Sequence, residues 1–377
     1  MEIWIAALLT LTCAAGFLLF RRNTIPDGRS GSMEESVSES KSVPVLGWKL
    51  SVIIPARNEE HNLPHLLGSL QKQTYQPYEI IVVDDCSEDR TREVAKSFGV
   101  TVVASTQLPP GWTGKNWAVW TGYSQATGDL IAFLDADVRL APHALQSLLT
   151  AREHTGGALS VVPHHHAEQF YERLALIPNI LGLFAFTSPF ETKNPNKGFY
   201  GSCILTTRAD YEKAQGHEAI KAELLDDLNL GAKFIEAGIP VTNYIGDDVV
   251  SFRMYPNGIR SEVQGFSKGA VLSTSKLDIR TTLLVAVWLI GLIAAEAAPF
   301  LIGTGWFWPL AAAYLLYTLQ IYYFVAYTGR FGRWMPALHP LSTVFFLFIM
   351  LYSVYQVVFL GNVAWKGRRV EVGGRKS

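Results

Sequence analysis

Two aspartates, Asp135 and Asp137, stand one residue apart at the end of the largely apolar run 129–134. Carboxylate pairs of this kind offer hard oxygen ligands, which suit Mg²⁺ or Mn²⁺. A divalent ion bound there would bridge a diphosphate and stabilise the negative charge that develops when the diphosphate leaves. The pair therefore predicts a metal site on Asp135 and Asp137.

Acidic residues also mark two other places in the chain. Asp84 and Asp85 follow a second apolar run, where a carboxylate can accept hydrogen bonds from a nucleobase or from ribose hydroxyls. The alternative is a cap for the next helix, which is the role we expect for Asp89. Asp226 and Asp227 begin a helical pattern, and acids there suit the helix dipole. The alternative for this pair is a general base.

The loop that begins at the end of the first apolar run holds Pro55, Arg57 and Glu59, which are predicted to bind a phosphate-containing cofactor. Further along the chain, Lys115 offers a cation for the phosphates of that cofactor. Their loop contains no GxGxxG. That absence argues against a dinucleotide-dependent dehydrogenase, because a pyrophosphate cradle needs close backbone approach. The structural alternatives are that Asn58 or Glu59 caps a helix and that Lys115 is a surface lysine at the start of another.

The composition argues against several kinds of site and partner. A formal net charge of -1 gives a nucleic-acid partner no electrostatic support. Cys13, Cys86 and Cys203 are far apart, which argues against a disulfide framework or a thiolate zinc site and fits a reducing compartment. The consecutive histidines 164–166 are not predicted to bind a metal, because adjacent residues of a strand point in different directions.

Short apolar runs alternate with helical patterns through the middle of the chain. The runs lie at 50–55, 79–83, 100–103, 129–134 and 158–162. Continuous apolar strands that alternate with helices predict an α/β fold, with a mostly parallel sheet covered by helices on both faces. Ligands bind such sheets at the carboxyl ends of the strands. The acids after the first, second and fourth runs are therefore predicted to lie at one edge.

The remaining apolar residues concentrate at the two ends of the chain. An apolar run is followed at once by Arg21 and Arg22, while Glu2 precedes it, which favours an uncleaved anchor over a signal peptide. The positive-inside rule puts these arginines in the cytosol. The predicted segments are a transmembrane anchor (1–22), a flexible linker (23–48), an α/β domain (49–278), transmembrane helices (279–362) and a basic tail (363–377).

The C-terminal part holds three apolar blocks, at 281–301, 302–327 and 341–361. If all three crossed the membrane after a cytosolic domain, the basic tail would lie outside, although such charge prefers the cytosol. One block is therefore predicted not to cross. The first block is chosen because Glu296 is costly at mid-bilayer and Pro299 breaks its helix.

The order of these motifs resembles family-2 glycosyltransferases, which have a GT-A type fold. The motifs are SVIIPARNEE at 51–60, VVDDCSEDRT at 82–91, GKNWA at 114–118, DAD at 135–137 and DD at 226–227. The resemblance implies that Asp85 contacts uridine and that Asp135 and Asp137 hold the metal and the diphosphate. It also implies that Asp227 is the catalytic base. The late pair usually reads Glu-Asp in the family, whereas its first member here is Asp226.

A narrower resemblance, over nearly the whole chain, is to the bacterial lipid-modifying branch of that family. It is carried by PHH at 163–165, FYE at 170–172, FRMY at 252–255, GFSK at 265–268 and AWKGRR at 364–369. The branch usually has tryptophan where this chain has Phe266. The resemblance implies a multi-pass enzyme of the cell membrane whose GT-A type catalytic domain, with an interfacial segment at its end, is cytosolic.

The implied reaction is inverting transfer of a hexose from a nucleotide-sugar, UDP-glucose, to a membrane lipid. The implied acceptor is the carboxylate of a C30 carotenoid acid, and the alternative is a hydroxyl of a hopanoid, a ceramide or another lipid. A processive polysaccharide synthase would carry Gln-x-x-Arg-Trp, and Gln264-Gly-Phe-Ser-Lys268 occupies that region instead. A non-catalytic nucleotide-binding membrane protein is disfavoured, because every acid that the chemistry needs is present.

Overall fold

The computed structural model describes residues 2–26, 47–105, 107–268, 270–365 and 368–371. The predicted flexible linker and basic tail lie largely outside these residues. At the start of the predicted linker, Thr24 forms a β-bridge with Ile245, and the backbone N–H of Ile25 donates to the carbonyl of Ile245 at 3.3 Å. Ile25 is also buried, so a flexible segment can begin only after it.

The chain forms two compact units that interleave along the sequence. The sheet unit comprises Thr24–Pro163 and Pro195–Arg253, and the helical unit comprises Met1–Asn23, His164–Asn194 and Met254–Ser377. The sequence predicts one continuous domain at 49–278. The structure instead assigns the 164–194 segment to the helical unit, because its apolar residues Leu176, Ile177, Ile180 and Phe184 are buried in that unit's core.

The strands, in chain order, are β1 (Leu50–Ala56), β2 (Glu79–Asp84), β3 (Thr101–Ala104), β4 (Leu130–Leu134), β5 (Val138–Leu140), β6 (Ala158–Val162), β7 (His164–His166), β8 (Cys203–Thr207), β9 (Val241–Ile245), β10 (Val250–Phe252), β11 (Gly329–Arg330), β12 (Asn362–Trp365) and β13 (Arg368–Glu371). The helices are α1 (Glu2–Leu19), α2 (Leu63–Leu70), α3 (Thr91–Ser97), α4 (Gly114–Gln125), α5 (Ala144–Thr155), α6 (Phe170–Arg173), α7 (Leu176–Thr187), α8 (Arg208–Lys213), α9 (Asp226–Glu236), α10 (Ile259–Ser267), α11 (Ala270–Thr274), α12 (Ile279–Glu296), α13 (Phe307–Thr328) and α14 (His339–Tyr355).

The sheet unit is built on a seven-stranded sheet in the order β3-β2-β1-β4-β8-β6-β9. Strand β8 runs antiparallel to both of its neighbours, and the other neighbouring pairs are parallel. A short antiparallel pair, β5 with β10, follows β4. The predicted mostly parallel α/β sheet is therefore confirmed, with β8 as the antiparallel member.

Both faces of the sheet are covered. In β1 the consecutive residues Val52, Ile53 and Ile54, whose side chains point alternately to the two faces of the sheet, are all fully buried. This is expected for a strand with helices on both sides. Helix α4 lies close on one face, since a Cβ at Gly122 would be 2.6 Å from Ile53 and 2.8 Å from Val83. The predicted apolar face of α2 (Leu63, Leu66, Leu67 and Leu70) is wholly buried. Burying each of these leucines stabilises the fold by about 1.5–3 kcal/mol.

The core of the helical unit joins α1, α7, α12 and α13. A buried polar network runs through it: Trp288 Nε1 donates to Gln320 Oε1 at 2.7 Å, and Gln320 Nε2 donates to the carbonyl of Cys13 at 2.7 Å. Gly16 lets α1 approach this network, since a Cβ there would be 2.7 Å from Trp288 Nε1. Helix α1 is thus an integral part of the unit.

We expect Gly16→Ala to destabilise the helical unit by about 1–3 kcal/mol, because the added methyl group must displace Trp288 or Gln320. The measurement is the thermal unfolding midpoint of the detergent-solubilised protein. Gly182→Ala in α7 is the matched control, since a Cβ there meets no atom within 4 Å. Equal midpoints for the two variants would contradict the close approach of α1.

Among the residues that the structure describes, three helices are long and apolar enough to cross a membrane: Ile279–Glu296, Phe307–Thr328 and His339–Leu360. The predicted anchor corresponds to α1, whose apolar stretch Ile3–Leu19 is shorter. Glu296 is the last residue of α12, and its Oε1 lies 2.6 Å from His339 Nδ1 and accepts from Thr343 Oγ1 at 2.7 Å. Glu296, on which the prediction that the first block does not cross was partly based, thus lies at the end of α12 and contacts His339 and Thr343.

Candidate functional site

The loops after β1 and β2 are tied together at one edge of the sheet. Asn58 and Cys86 both have positive φ, 54° in each case, which is uncommon for residues other than glycine. The backbone N–H of Asn58 donates to Ser87 Oγ at 3.1 Å, and Asn58 Oδ1 accepts from the backbone N–H of Glu88 at 2.8 Å. These hydrogen bonds hold the two loops together at the carboxyl edge of the sheet, which is where ligands of parallel sheets bind.

Asp85 lies in this edge and is buried. The backbone N–H of Asp85 donates to the carbonyl of Ala56 at 2.8 Å. Arg57 Nη1 donates to the backbone carbonyl of Asp85 at 3.1 Å and lies 4.0 Å from Oδ2 of the Asp85 carboxylate. Two neighbouring aspartates accept hydrogen bonds from backbone N–H groups of this loop and of the start of α3. Asp84 Oδ1 accepts from the N–H of Ser87, and Asp89 Oδ1 accepts from the N–H of Thr91, both at 3.0 Å.

Glu59 lies where the first loop enters α2. Its Oε2 accepts from Asn62 Nδ2 at 2.8 Å, and its backbone N–H donates to Thr91 Oγ1 at 2.7 Å. The structure therefore brings Arg57 to Asp85 but gives Glu59 contacts typical of a helix start. Neither Arg57 nor Glu59 lines the cavity described next.

A cavity opens at the carboxyl ends of β1 and β4. It brings together five of the residues singled out from the sequence: Pro55, Lys115, Asp135, Asp226 and Asp227. The other residues that line it are Val119, Phe133, Leu134, Gly201, Ile204, His217 and Leu230. Residues from six separate parts of the sheet unit therefore converge on one pocket, in which charged side chains lie among apolar ones.

Lys115 is the cation of this cavity. Its Nζ lies 3.0 Å from Asp135 Oδ1 and 3.4 Å from Asp226 Oδ2. Burial by itself lowers the pKa of Lys115, but the neighbouring carboxylates, Asp135 foremost, outweigh it and raise that pKa well above its ordinary value. Lys115 is therefore charged at neutral pH and joins the acid after β4 to the acid at the start of α9.

Asp227 is held by backbone groups in a fixed orientation. Its Oδ2 accepts from the N–H of Gly201 at 3.1 Å, and its Oδ1 accepts from the N–H of Leu228 at 3.0 Å. Gly201 permits this approach, because a Cβ there would be 2.9 Å from Asp227 Oδ2. The two acids of the pair thus have different contacts: Asp226 faces Lys115, and Asp227 faces the loop before β8.

Asp135 and Asp137 flank the short turn between β4 and β5. The N–H of Asp135 donates to the carbonyl of Ser202 at 2.9 Å, which extends the β4–β8 ladder, and the carbonyl of Asp137 accepts from the N–H of Arg253 at 3.3 Å. Within the described residues, no three His, Cys, Asp or Glu side chains form a metal-binding group. Two carboxylates alone suit an ion such as Mg²⁺, which completes its shell with water and substrate phosphates.

Gly201 and His217 in the cavity wall, and the neighbouring Tyr200, were not predicted as site residues from the sequence. None of the three belongs to one of the motifs that pointed to chemistry. Tyr200 is next to the acids: burial first, and then the charges of Asp137 and Asp227, raise the pKa of its phenol above the usual range. The antiparallel β8, which follows Tyr200 and Gly201, carries them to the edge.

The consecutive histidines 164–166 lie in β7, in the helical unit, and β7 pairs in parallel with β11. The ring of His165 packs on Phe331 with centroids 5.2 Å apart, and its Nδ1 lies 3.4 Å from Asn179 Oδ1. Burial lowers the pKa of His165 to about 4. The three cysteines Cys13, Cys86 and Cys203 are all free.

We expect Asp85→Ala to raise the KM for the donor about tenfold or more with a smaller effect on kcat, because hydrogen bonds to the nucleoside are made before the reaction begins. The measurement is the initial rate of transfer as a function of nucleotide-sugar concentration. Glu88→Ala is the matched control, since this exposed acid lies three residues further along the same loop. Unchanged donor affinity in Asp85→Ala would remove Asp85 from the site.

Comparison with known proteins gives a consistent assignment. The family model described as "Glycosyl transferase family 2" matches residues 51–214. Two curated relatives are both named "4,4'-diaponeurosporenoate glycosyltransferase". One, from Staphylococcus aureus strain USA300, is 33% identical over 98% of this chain and 97% of its own length. The other, from strain MRSA252, is 32% identical with the same coverage.

A solved structure resembles the fold over almost the whole chain. It is the mannosyltransferase PcManGT from Pyrobaculum calidifontis in complex with GDP-Man and Mn²⁺. The TM-score is 0.50 at 19% identity, covering 95% of this chain and 96% of that one. The similarity supports the arrangement of a GT-A type sheet.

Proposed function

Since the chain belongs to glycosyl transferase family 2, we propose that its glycosyl transfer moves glucose from UDP-glucose to the carboxylate of a C30 carotenoid acid, with inversion. Support for the acceptor comes from the curated relatives, which are similar over the helical unit as well as the sheet unit. Support for a nucleotide-sugar comes from the acids at the sheet edge. The alternative acceptor is a hydroxyl of a hopanoid, a ceramide or another lipid.

The observation that carries the proposal is the cavity in which Asp227, Asp135 and Lys115 converge. In an inverting transfer, the acceptor oxygen forms a bond to C1 of glucose while the bond from C1 to the diphosphate oxygen breaks, and UDP leaves. Lys115 supplies fixed positive charge on the leaving-group side. Asp227, oriented by two backbone N–H groups, is available to accept a proton or to orient the acceptor.

We propose that a divalent cation binds beside this cavity, at the turn between β4 and β5, although Asp137 itself is not among the residues that line the cavity. Asp135 and Asp137 would hold Mg²⁺ or Mn²⁺, and a bound ion would supply counter-charge to the diphosphate. Lys115 would then act beside the ion, because its Nζ already contacts Asp135. Asp85 would accept hydrogen bonds from the uridine, and Pro55 would line the donor site.

The test is transfer of radiolabelled glucose from UDP-glucose in membranes that contain the expressed protein, with 4,4'-diaponeurosporenoate or a hydroxyl lipid as acceptor. We expect a labelled carotenoid ester that mild alkali cleaves. A labelled product stable to alkali would rule out the ester and favour the hydroxyl acceptors. Binding of a nucleotide-sugar without its consumption would favour a non-catalytic nucleotide-binding membrane protein.

We also propose that the protein is a multi-pass protein of the cell membrane with the sheet unit in the cytosol, as the positive-inside rule suggests for Arg21 and Arg22. The basic tail, outside the described residues for most of its length, is then predicted to be cytosolic as well, so one apolar block does not cross. A reporter fused after Ser377 measures this directly. An extracellular reporter would contradict the proposed cytosolic location of the tail.

A further inference from the structure

His217 is a buried histidine in the wall of the cavity. It lies in the single-turn 3₁₀ helix Gly216–Glu218 and is 4% exposed. The turn is specified by two left-handed residues, Gln215 at φ 59° and Gly216 at φ 47°. Gly216 also admits the phenol of Tyr211, since a Cβ there would be 2.3 Å from the ring. This backbone conformation therefore brings the side chains of His217 and Tyr211 into contact.

Tyr211 determines which nitrogen of the imidazole carries the proton. The backbone N–H of His217 donates to the Tyr211 hydroxyl oxygen at 3.0 Å, and the same hydroxyl lies 2.8 Å from His217 Nδ1. Tyr211 is buried, and among the described residues these are the partners of its hydroxyl. The hydroxyl proton is therefore satisfied by donation to Nδ1. Nδ1 is the acceptor, and Nε2 carries the hydrogen.

The imidazole is neutral and its orientation is fixed. Burial lowers the pKa of His217 to about 4, an effect that the charge of Asp226 only partly opposes. The ring packs edge-on against Phe133 with centroids 5.4 Å apart, as well as against Tyr211. Among the described residues, the hydrogen bonds of His217 to Tyr211 use Nδ1 and the backbone N–H, and the side chain lines the cavity, which leaves Nε2–H as the group that can meet a ligand there. A neutral N–H donor therefore lines a cavity whose other polar groups are charged.

We propose that His217 is a binding residue for the transferred sugar, and that its Nε2–H donates to a hydroxyl oxygen of the hexosyl group of the donor. This inference rests on the proposed function. The chemistry selects a hydroxyl over a phosphate, because Lys115 already provides the cation that a phosphate prefers. A sugar hydroxyl can accept from a neutral N–H and donate to a carboxylate, and Asp226 provides that carboxylate in the same cavity.

Two variants separate the sugar contact from a structural role. In His217→Asn the side-chain oxygen can still accept from Tyr211, but no group reaches the position of Nε2. In His217→Gln the longer amide can place an N–H there. The probes are UDP, UDP-glucose and the monodeoxy analogues of UDP-glucose. The readouts are the Kd of UDP, the KM of each sugar donor and the thermal midpoint of each variant.

We expect His217→Asn to raise the KM for UDP-glucose about three- to tenfold, the effect of losing one neutral hydrogen bond, while the Kd of UDP stays unchanged. One monodeoxy donor, which lacks the contacted hydroxyl, should show no further loss in this variant although the wild type discriminates against it. His217→Gln should recover part of that discrimination. Tyr211→Phe, which leaves the tautomer unspecified, should weaken discrimination against the same donor.

The inference is overturned if folded His217→Asn keeps the wild-type discrimination against every monodeoxy donor, or if it weakens UDP and UDP-glucose equally. It is also overturned if every donor loses the same factor in kcat with a shifted pH profile, since His217 would then act through Asp226. If the wild type itself neither binds nor consumes UDP-glucose, the proposed function fails, which this panel shows before any variant is compared.

Discussion

Replacing Asp135 or Asp137 by alanine is expected to abolish glucosyl transfer. Counter-charge from a bound divalent ion is worth several kcal/mol in the transition state, so its loss should lower kcat/KM by about a thousandfold or more. The two variants should differ in one respect. Asp135 also contacts Lys115 at 3.0 Å, so Asp135→Ala additionally releases the lysine toward Asp226, whereas Asp137→Ala leaves that ion pair in place.

The measurement is the transfer rate as a function of added Mn²⁺ or Mg²⁺, after chelation of the endogenous metal. Asp129→Ala is the matched control, because this exposed aspartate immediately precedes β4 and so lies at the opposite end of the strand that Asp135 follows. Asp129→Ala should keep wild-type activity and metal dependence. A double variant of Asp135 and Asp137 that transfers glucose at full rate without metal would end the metal hypothesis.

The second large effect is expected for Asp227→Asn, and its size depends on the acceptor. A hydroxyl must lose its proton in the transition state, and a positioned base contributes about a hundred- to ten-thousandfold to that step. A carboxylic acid has an ordinary pKa of roughly 4 and is already a nucleophilic carboxylate at neutral pH. We therefore expect a severe loss with a hydroxyl lipid and a modest loss with a carotenoid acid.

The geometry of Asp227 adds a condition to this test. Both carboxylate oxygens accept backbone N–H groups, from Gly201 and from Leu228. Asparagine has one acceptor oxygen, so one of these N–H groups loses its partner, at a cost of about 1–3 kcal/mol in stability. The thermal midpoint must therefore be measured beside the rate, so that loss of fold is not taken for loss of a base.

The comparison that decides the role is the rate of Asp227→Asn with both acceptor types in the same membrane preparation. Asp226→Asn is the companion variant, because it changes the neighbouring acid, which contacts Lys115 instead. A severe loss with the carotenoid acid would show that Asp227 does something other than remove a proton. Equal, small losses with both acceptors would argue that the base lies elsewhere.

The local sequence pattern was sufficient to predict where the edge of the sheet lies, because the strands are continuous apolar runs. Asp85 and Asp135 were predicted at strand ends, and both lie there. The contacts of Gly201 and His217 could not be predicted, since they depend on β8 running antiparallel between β4 and β6. The assignment of α7 to the helical unit was missed for a similar reason. Its burial partners Trp288 and Phe324 lie more than a hundred residues further along the chain.

The network between Gly16, Trp288 and Gln320 also has a consequence for how the protein is made. Helix α1 precedes the sheet unit along the chain, whereas α12 and α13, which supply Trp288 and Gln320 to its packing, follow that unit. The whole sheet unit emerges in between. A chain that stops after the sheet unit would therefore carry every candidate site residue but lack α12 and α13, so that the carbonyl of Cys13 in α1 would lose its hydrogen bond from Gln320. Messages truncated late in the reading frame should yield a product recognised by membrane proteases rather than a smaller working enzyme.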